Sequence, residues 1–268
     1  MDQDHNITRN EQPAQPTALA APRFWEIDAV RGVAIGMMVL YHLIYDLDFF
    51  GGFDVNATTG FWGLFADLTA FLFVFVVGVS LTVSYDRVRH SAAGGGRVFR
   101  KFALRGLRIL GYGMLITLVI GVAVPDGQIY FGILHVIGLS IIVGYPFLGR
   151  PMLALLVAIP VTLAGPIVQS FSMDEPWLLW LGVRAPVETM LDYRPMIPWF
   201  GVVLLGIVAG GYLYRDGARR FPWSLQTSPM LGRVLAKLGR YSLAIYLVHQ
   251  PVMLGILYAL GVIDLGIF

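Results

Sequence analysis

The stretch EIDAVRGVAIGMMVLYHLIYDL, residues 26–47, opens with Glu26, Asp28 and Arg31, turns apolar at Val33, and then carries His42 and Asp46 inside the apolar run. About 20 mostly apolar residues is the length that crosses a bilayer as a helix. Working outward, the same kind of run recurs at roughly 61–84, 105–124, 131–148, 152–171, 196–214 and 239–262, so with residues 25–46 the sequence predicts about seven spans. Turn chemistry separates several of them, at Pro125-Asp126-Gly127, at Gly149-Arg150-Pro151 and from Pro195 to Pro198. With 57% hydrophobic and 13% charged residues in 268, and a mean hydropathy of +0.70, the chain has more apolar surface than one soluble core could hide. The expected fold is an all-α, polytopic membrane helical bundle.

Cytoplasmic loops retain Lys and Arg while external loops shed them. All but Arg184 and Arg194 of the 19 basic residues fall at the N-terminal end or in connections on one side of the predicted spans. The expected topology therefore has the N-terminus inside and, after seven spans, the C-terminus outside. Residues 1–22 are polar and lack the layout of a cleavable signal; they read as a disordered cytoplasmic tail, and 23–268 as a single transmembrane domain. The absence of cysteine removes disulfides, thiolate metal sites and a cysteine nucleophile. The segment SAAGGGRVFRK, residues 91–101, reads as a flexible basic loop.

Ionisable groups inside a bilayer are costly, so each is a candidate for function. Asp46 lies one helical turn after His42, within reach of its ring. A carboxylate on one ring nitrogen would fix the tautomer and leave the other nitrogen free to take a proton, the layout of a general base. The alternative is a histidine satisfied by a backbone carbonyl. Arg31 lies 11 residues before His42, about 16 Å along the same helix face, and Asp28 is placed to pair with it. Gly32 and Gly36 make a small face open to a close approach. Asp67 in the second run is expected at the depth of His42, with Arg184 or a helix N-terminus as a structural partner if it is not a site residue. His135 falls in the same layer. His249 lies nearer the middle of the last run, beside Gln250 and Pro251, where it could instead satisfy a carbonyl freed by the proline. The connection from Phe171 to Ile197, with Trp177, Trp180, Arg184, Glu188, Asp192 and Tyr193, suits a sugar and equally an interfacial aromatic belt.

The segments DAVRGVAI, ADLTAFLFVFVVGVSLT, YFGILHVIGLS and LGRYSLAIYLVHQPV resemble the prokaryotic relatives of the heparan-alpha-glucosaminide N-acetyltransferase catalytic domain. The resemblance covers nearly everything after Arg23 and implies a multi-pass acyltransferase of the cell membrane. In such an enzyme an acetyl or other acyl group passes from cytosolic acyl-CoA to a sugar or glycan on the far side. Asp67 matches the ADL of that family. His42 resembles instead the histidine of the related O-acyltransferases, so the acceptor is either an amine or a hydroxyl. The residues expected to act in catalysis are His42, Asp46, Asp67 and His135; those expected to hold acetyl-CoA are Arg31, Arg105, Arg108 and His249. Acetyl-CoA enters as acyl donor, with no metal. The partners expected are acyl-CoA, the sugar acceptor and membrane lipids, without nucleic acid, and the GxxxG at Gly206–Gly210 would also permit a homodimer. The alternative is a proton-coupled small-molecule transporter, in which His42, Asp67, His135 and His249 form a proton relay.

Overall fold

A computed structural model describes residues 23–89, 95–123, 128–186, 192–215, 218–221 and 230–263. The expected N-terminal tail, Glu188 and the Pro125–Gly127 turn lie outside these residues. The helices are α1 (Trp25–Phe49), α2 (Gly60–Val88), α3 (Gly95–Ala123), α4 (Ile133–Val143), α5 (Pro151–Leu163), α6 (Gly165–Ser170), α7 (Met196–Leu213), α8 (Met230–Arg240) and α9 (Ser242–Ala259). A two-residue hairpin, Tyr214–Arg215 against Ala218–Arg219, is antiparallel. Among the described residues, six helical segments are long and apolar enough to cross a membrane: α1, α2, α3, α5 continued by α6, α7 and α9. The run expected over 131–148 is shorter, an 11-residue helix followed by a 3₁₀ turn at Tyr145–Phe147.

Two boundaries depart from the sequence reading. From Gly95 onward the expected basic loop is already helix, because Val98 and Phe102, one turn apart, are 6% and 3% exposed and anchor that first part of α3 in the core. The last run does not begin at 239. Tyr241 is a turn residue that divides α8 from α9.

Small residues let the helices approach closely. A side chain at Gly78 of α2 would collide with the backbone of Val203 and Gly206 on α7, and one at Gly206 with the carbonyl of Phe75. The Gly206–Gly210 seam is thus used within the chain, against α2, Gly210 facing Thr82. At the start of α1, Gly32 meets the backbone of Leu235 and Gly239 of α8 meets that of Asp28, whereas Gly36 has nothing within 4 Å. The buried core runs through α2, α4 and α7 with Val74, Leu81, Ile141, Leu204 and Ile207. This packing holds α1, and with it His42, at a fixed place beside α2.

Candidate active site

The two ends of the bundle carry different chemistry. At the end where α1 begins, Asp28 is 3% exposed and accepts from Arg31 at 2.9 Å and from Arg23 at 2.6 Å, with Arg240 at 3.8 Å. Arg31 also donates to Ser80 Oγ of α2 at 2.7 Å. Beside them Glu26 accepts a two-pronged bond from Arg219, at 3.0 and 2.9 Å, and one from the Tyr214 hydroxyl at 3.1 Å. Burial first, and the Glu26 carboxylate second, push the Tyr214 phenol well above its ordinary range. Arg105 lines a notch of about 190 Å³ between α2 and α3 together with Ser84, Arg87 and Lys101. Arg108 is exposed on α3, outside that notch. The expected Asp28–Arg31 pair is therefore present, as part of a larger cluster.

At the opposite end a cavity of about 470 Å³ is lined by His42, Tyr41, Asp67, Asp192, Arg194 and Tyr246, among others. His42 Nδ1 donates to the Met38 carbonyl at 2.9 Å. Since a carbonyl can only accept, the proton sits on Nδ1 and the neutral ring keeps its lone pair on Nε2. The expected bond from His42 to Asp46 is not formed. Asp46 faces α9, where its Oδ1 accepts from Gln250 Nε2 at 2.6 Å, and the carbonyl one turn back takes the orienting part that the sequence reading gave to the carboxylate.

Asp67 does lie at the depth of His42, in the same cavity. Its partner is Arg194, not Arg184: Arg194 donates to Asp67 Oδ1 at 2.6 Å, and its Nε is 4.0 Å from Asp192 Oδ1. The guanidinium stacks on Trp199, 4.9 Å from the ring centre. Asp192 in turn accepts the backbone N–H of Ile133 at 2.9 Å, which ties the connection before α7 to the start of α4. A second cavity, of about 520 Å³, shares Asp67, Tyr193 and Arg194 with the first and adds Gln169 and Arg184. Burial raises the Tyr193 phenol, with Arg184 opposing. Trp177, 75% exposed, lines neither cavity and fits the belt reading.

The other two histidines separate. His249 lies edge-on to His42, ring centres 4.8 Å apart, with Nδ1 donating to the Tyr246 carbonyl at 2.7 Å. His135 is 3% exposed in the first turn of α4, accepts the N–H of Gly132 at 3.1 Å, packs against Gly113 of α3 and does not line the cavity. Sequence alone does not mark Arg194 or Tyr246 as site residues, and it marks Gln250 only beside His249, as a partner for a carbonyl freed by Pro251. Arg194 carried a usable signal, being one of the two basic residues away from the basic connections.

A helical bundle of membrane-length apolar helices, with a histidine in a cavity lined by several charged side chains at one end and a cluster of cations at the other, defines a polytopic membrane protein. The family model described as heparan-alpha-glucosaminide N-acetyltransferase, catalytic, matches residues 23–251. The chain belongs to that family, a family of membrane acetyltransferases. No curated protein and no solved structure matches it.

Proposed function

We propose that the chain moves an acetyl group from acetyl-CoA, bound at the basic end on the cytoplasmic side of the cell membrane, to a sugar hydroxyl or amine held in the cavity beside His42 on the far side. The observation that carries this reading is His42 itself, with Nδ1 held by the Met38 carbonyl and the ring lining the cavity. The anionic phosphates of CoA find cations at Arg105, Lys101 and Arg87 around the 190 Å³ notch, with Arg108 nearby in sequence and Arg31 held by Asp28 and Ser80. The pantetheine arm then runs along the α1 face from Arg31 to His42, about 16 Å by helical rise.

In the transfer step the acceptor oxygen or nitrogen attacks the thioester carbonyl while His42 Nε2 takes its proton. The carbon–sulfur bond breaks, and the departing thiolate recovers that proton from the imidazolium. Asp67, whose side chain is 62% exposed even though paired, faces the acceptor, and Arg194 holds it in place. His135 serves as a cap that fixes the start of α4. In this topology α4 and the turn after it supply the fourth of seven crossings, the N-terminus is cytoplasmic and the C-terminus external.

The test uses the full chain in sealed vesicles with acetyl-CoA labelled in the acetyl group. Labelled sugar is expected to appear on the face opposite the donor, with one CoA thiol released per acetyl transferred. Protein that binds no CoA and transfers no label, yet moves protons with a solute, would replace the transferase by the transporter.

A further inference from the structure

Three polar atoms near His42 are buried with no hydrogen-bond partner among the described residues: Asp46 Oδ2, Gln250 Oε1 and His249 Nε2. Asp46 is 0% exposed, and no Lys or Arg pairs with it among the described residues. An ionised carboxylate in that position, bare at one oxygen, is strongly disfavoured, and a group so placed becomes neutral instead. The other titratable side chains that α1 and α9 carry in this region are Tyr41, His42, Tyr45, Asp48, Tyr246 and His249, and none of them donates to Oδ2.

A neutral acid accounts for two of the bare atoms together. A carboxylic acid facing a primary amide can form a ring of two hydrogen bonds, the amide N–H to one acid oxygen and the acid O–H to the amide oxygen. The first of these bonds is the 2.6 Å contact from Gln250 Nε2 to Asp46 Oδ1. The two atoms that the second bond requires, Asp46 Oδ2 as donor and Gln250 Oε1 as acceptor, are the two left bare. One proton on Asp46 satisfies both.

We infer that Asp46 is held as a neutral carboxylic acid, ring-bonded to Gln250, and that this pair is the clasp that fixes α9 to α1 and holds His249 against His42. The clasp supplements sparse packing: of α9 only Ser242 and Leu257 are buried, Ile245 and Tyr246 pack partly buried against the core, and Pro251 interrupts its backbone bonding directly after Gln250. Asp46 is accordingly a positioning residue. Its protonation stands whatever the reaction; its service to His42 rests on the transferase reading above.

Infrared difference spectroscopy of the full chain at neutral pH tests the protonation. The C=O stretch of a protonated buried carboxyl is expected in the wild type and lost in Asp46→Asn. Asparagine can form the same two-bond ring with Gln250, so Asp46→Asn is expected to keep the wild-type melting temperature and wild-type transfer, while Asp46→Ala and Gln250→Leu lower both. If no protonated-carboxyl band depends on Asp46, the neutral acid is wrong. If the band is present but folded Asp46→Asn loses transfer on the order of 10²-fold, the range of lost acid–base catalysis, Asp46 works by giving up its proton and the purely positional clasp is wrong. Should the wild type transfer no acetyl at all, the transferase reading fails, and the band and the melting temperatures still decide the pair.

Discussion

The basic end and the His42 end both place ionisable side chains near or within membrane-length helices, and they treat them in opposite ways. Asp28 has three arginines around it, and Glu26 has an arginine and a tyrosine. At the His42 end, His249 Nε2 and His135 Nε2 have no partner among the described residues, and Asp46 Oδ2 and Gln250 Oε1 have none there except the proton inferred above. A buried polar group left unpaired costs about 1–3 kcal/mol, so the basic end meets its carboxylates with cations, while the His42 end, by the inference above, keeps Asp46 neutral. The paired cluster staples α1 to α2, α8 and the hairpin; His249 lies against the candidate base, and the Asp46–Gln250 pair joins the two helices that carry them.

The largest effect expected from this contrast is at His42. Removing a general base lowers turnover by about 10²- to 10⁴-fold, so His42→Ala should lose acetyl transfer in that range while binding CoA as before. Calorimetric CoA affinity and labelled transfer, measured on one preparation, check it. Wild-type transfer from a folded His42→Ala protein would move the chemistry to Asp67 or His249.

Arg194→Ala comes next. It removes a charge-assisted bond of 2.6 Å from Asp67, whose side chain is 62% exposed, so solvent screening holds the interaction to about 1 kcal/mol, roughly five-fold in affinity. The loss is expected in the Michaelis constant for the acceptor rather than for the donor, because Arg194 borders both cavities of the His42 end and neither face of the basic notch. An equal rise in both constants would mean that the pair merely holds the fold.

An effect smaller in transfer, and different in kind, is expected at Asp28. Asp28→Asn weakens three arginine contacts, two of which involve arginines whose side chains are half exposed or more, so solvent screening keeps the loss near 2 kcal/mol. Thermal melting should fall by about 4–8 °C, with transfer per folded molecule nearly unchanged. That outcome separates a staple from a site.

Long periodic features were the most legible in the sequence. Six of the seven expected runs are long apolar helices, because length and hydropathy are local properties that the bilayer reads directly. What packing decides was not visible. The start of α3 at Gly95 depends on Val98 and Phe102 finding the core, and the break at Tyr241 depends on α8 lying against Gly32. At the site, helical spacing correctly placed Asp46 one turn from His42, but spacing cannot say which way a side chain turns once α9 offers an amide. Asp67 was found from its cost in the membrane; its partner, 127 positions away, is a tertiary fact.

The last and smallest effect concerns the exposed cations of the basic end. Arg105 and Arg108 lie on α3 with their side chains accessible, unlike Arg31, which is engaged by Asp28 and Ser80. Exposed charges interact weakly with an anion, about 0.2–1 kcal/mol each, so each of Arg105→Gln and Arg108→Gln should weaken CoA binding only a few-fold. Because the phosphates are met in water, the same affinity should fall as salt rises and the Debye length shrinks from about 10 Å at 0.1 M to about 3 Å at 1 M. The double variant should bind CoA with a flatter salt dependence than the wild type, since fewer screened contacts remain to be lost. Arg105 borders the notch with Lys101 and Arg87 while Arg108 does not, so the greater share of the loss is expected from Arg105→Gln. Titrating CoA at several salt concentrations measures both quantities, and a salt dependence left unchanged by the double substitution would place the phosphates elsewhere, with the deeper Arg31 as the next cation along α1.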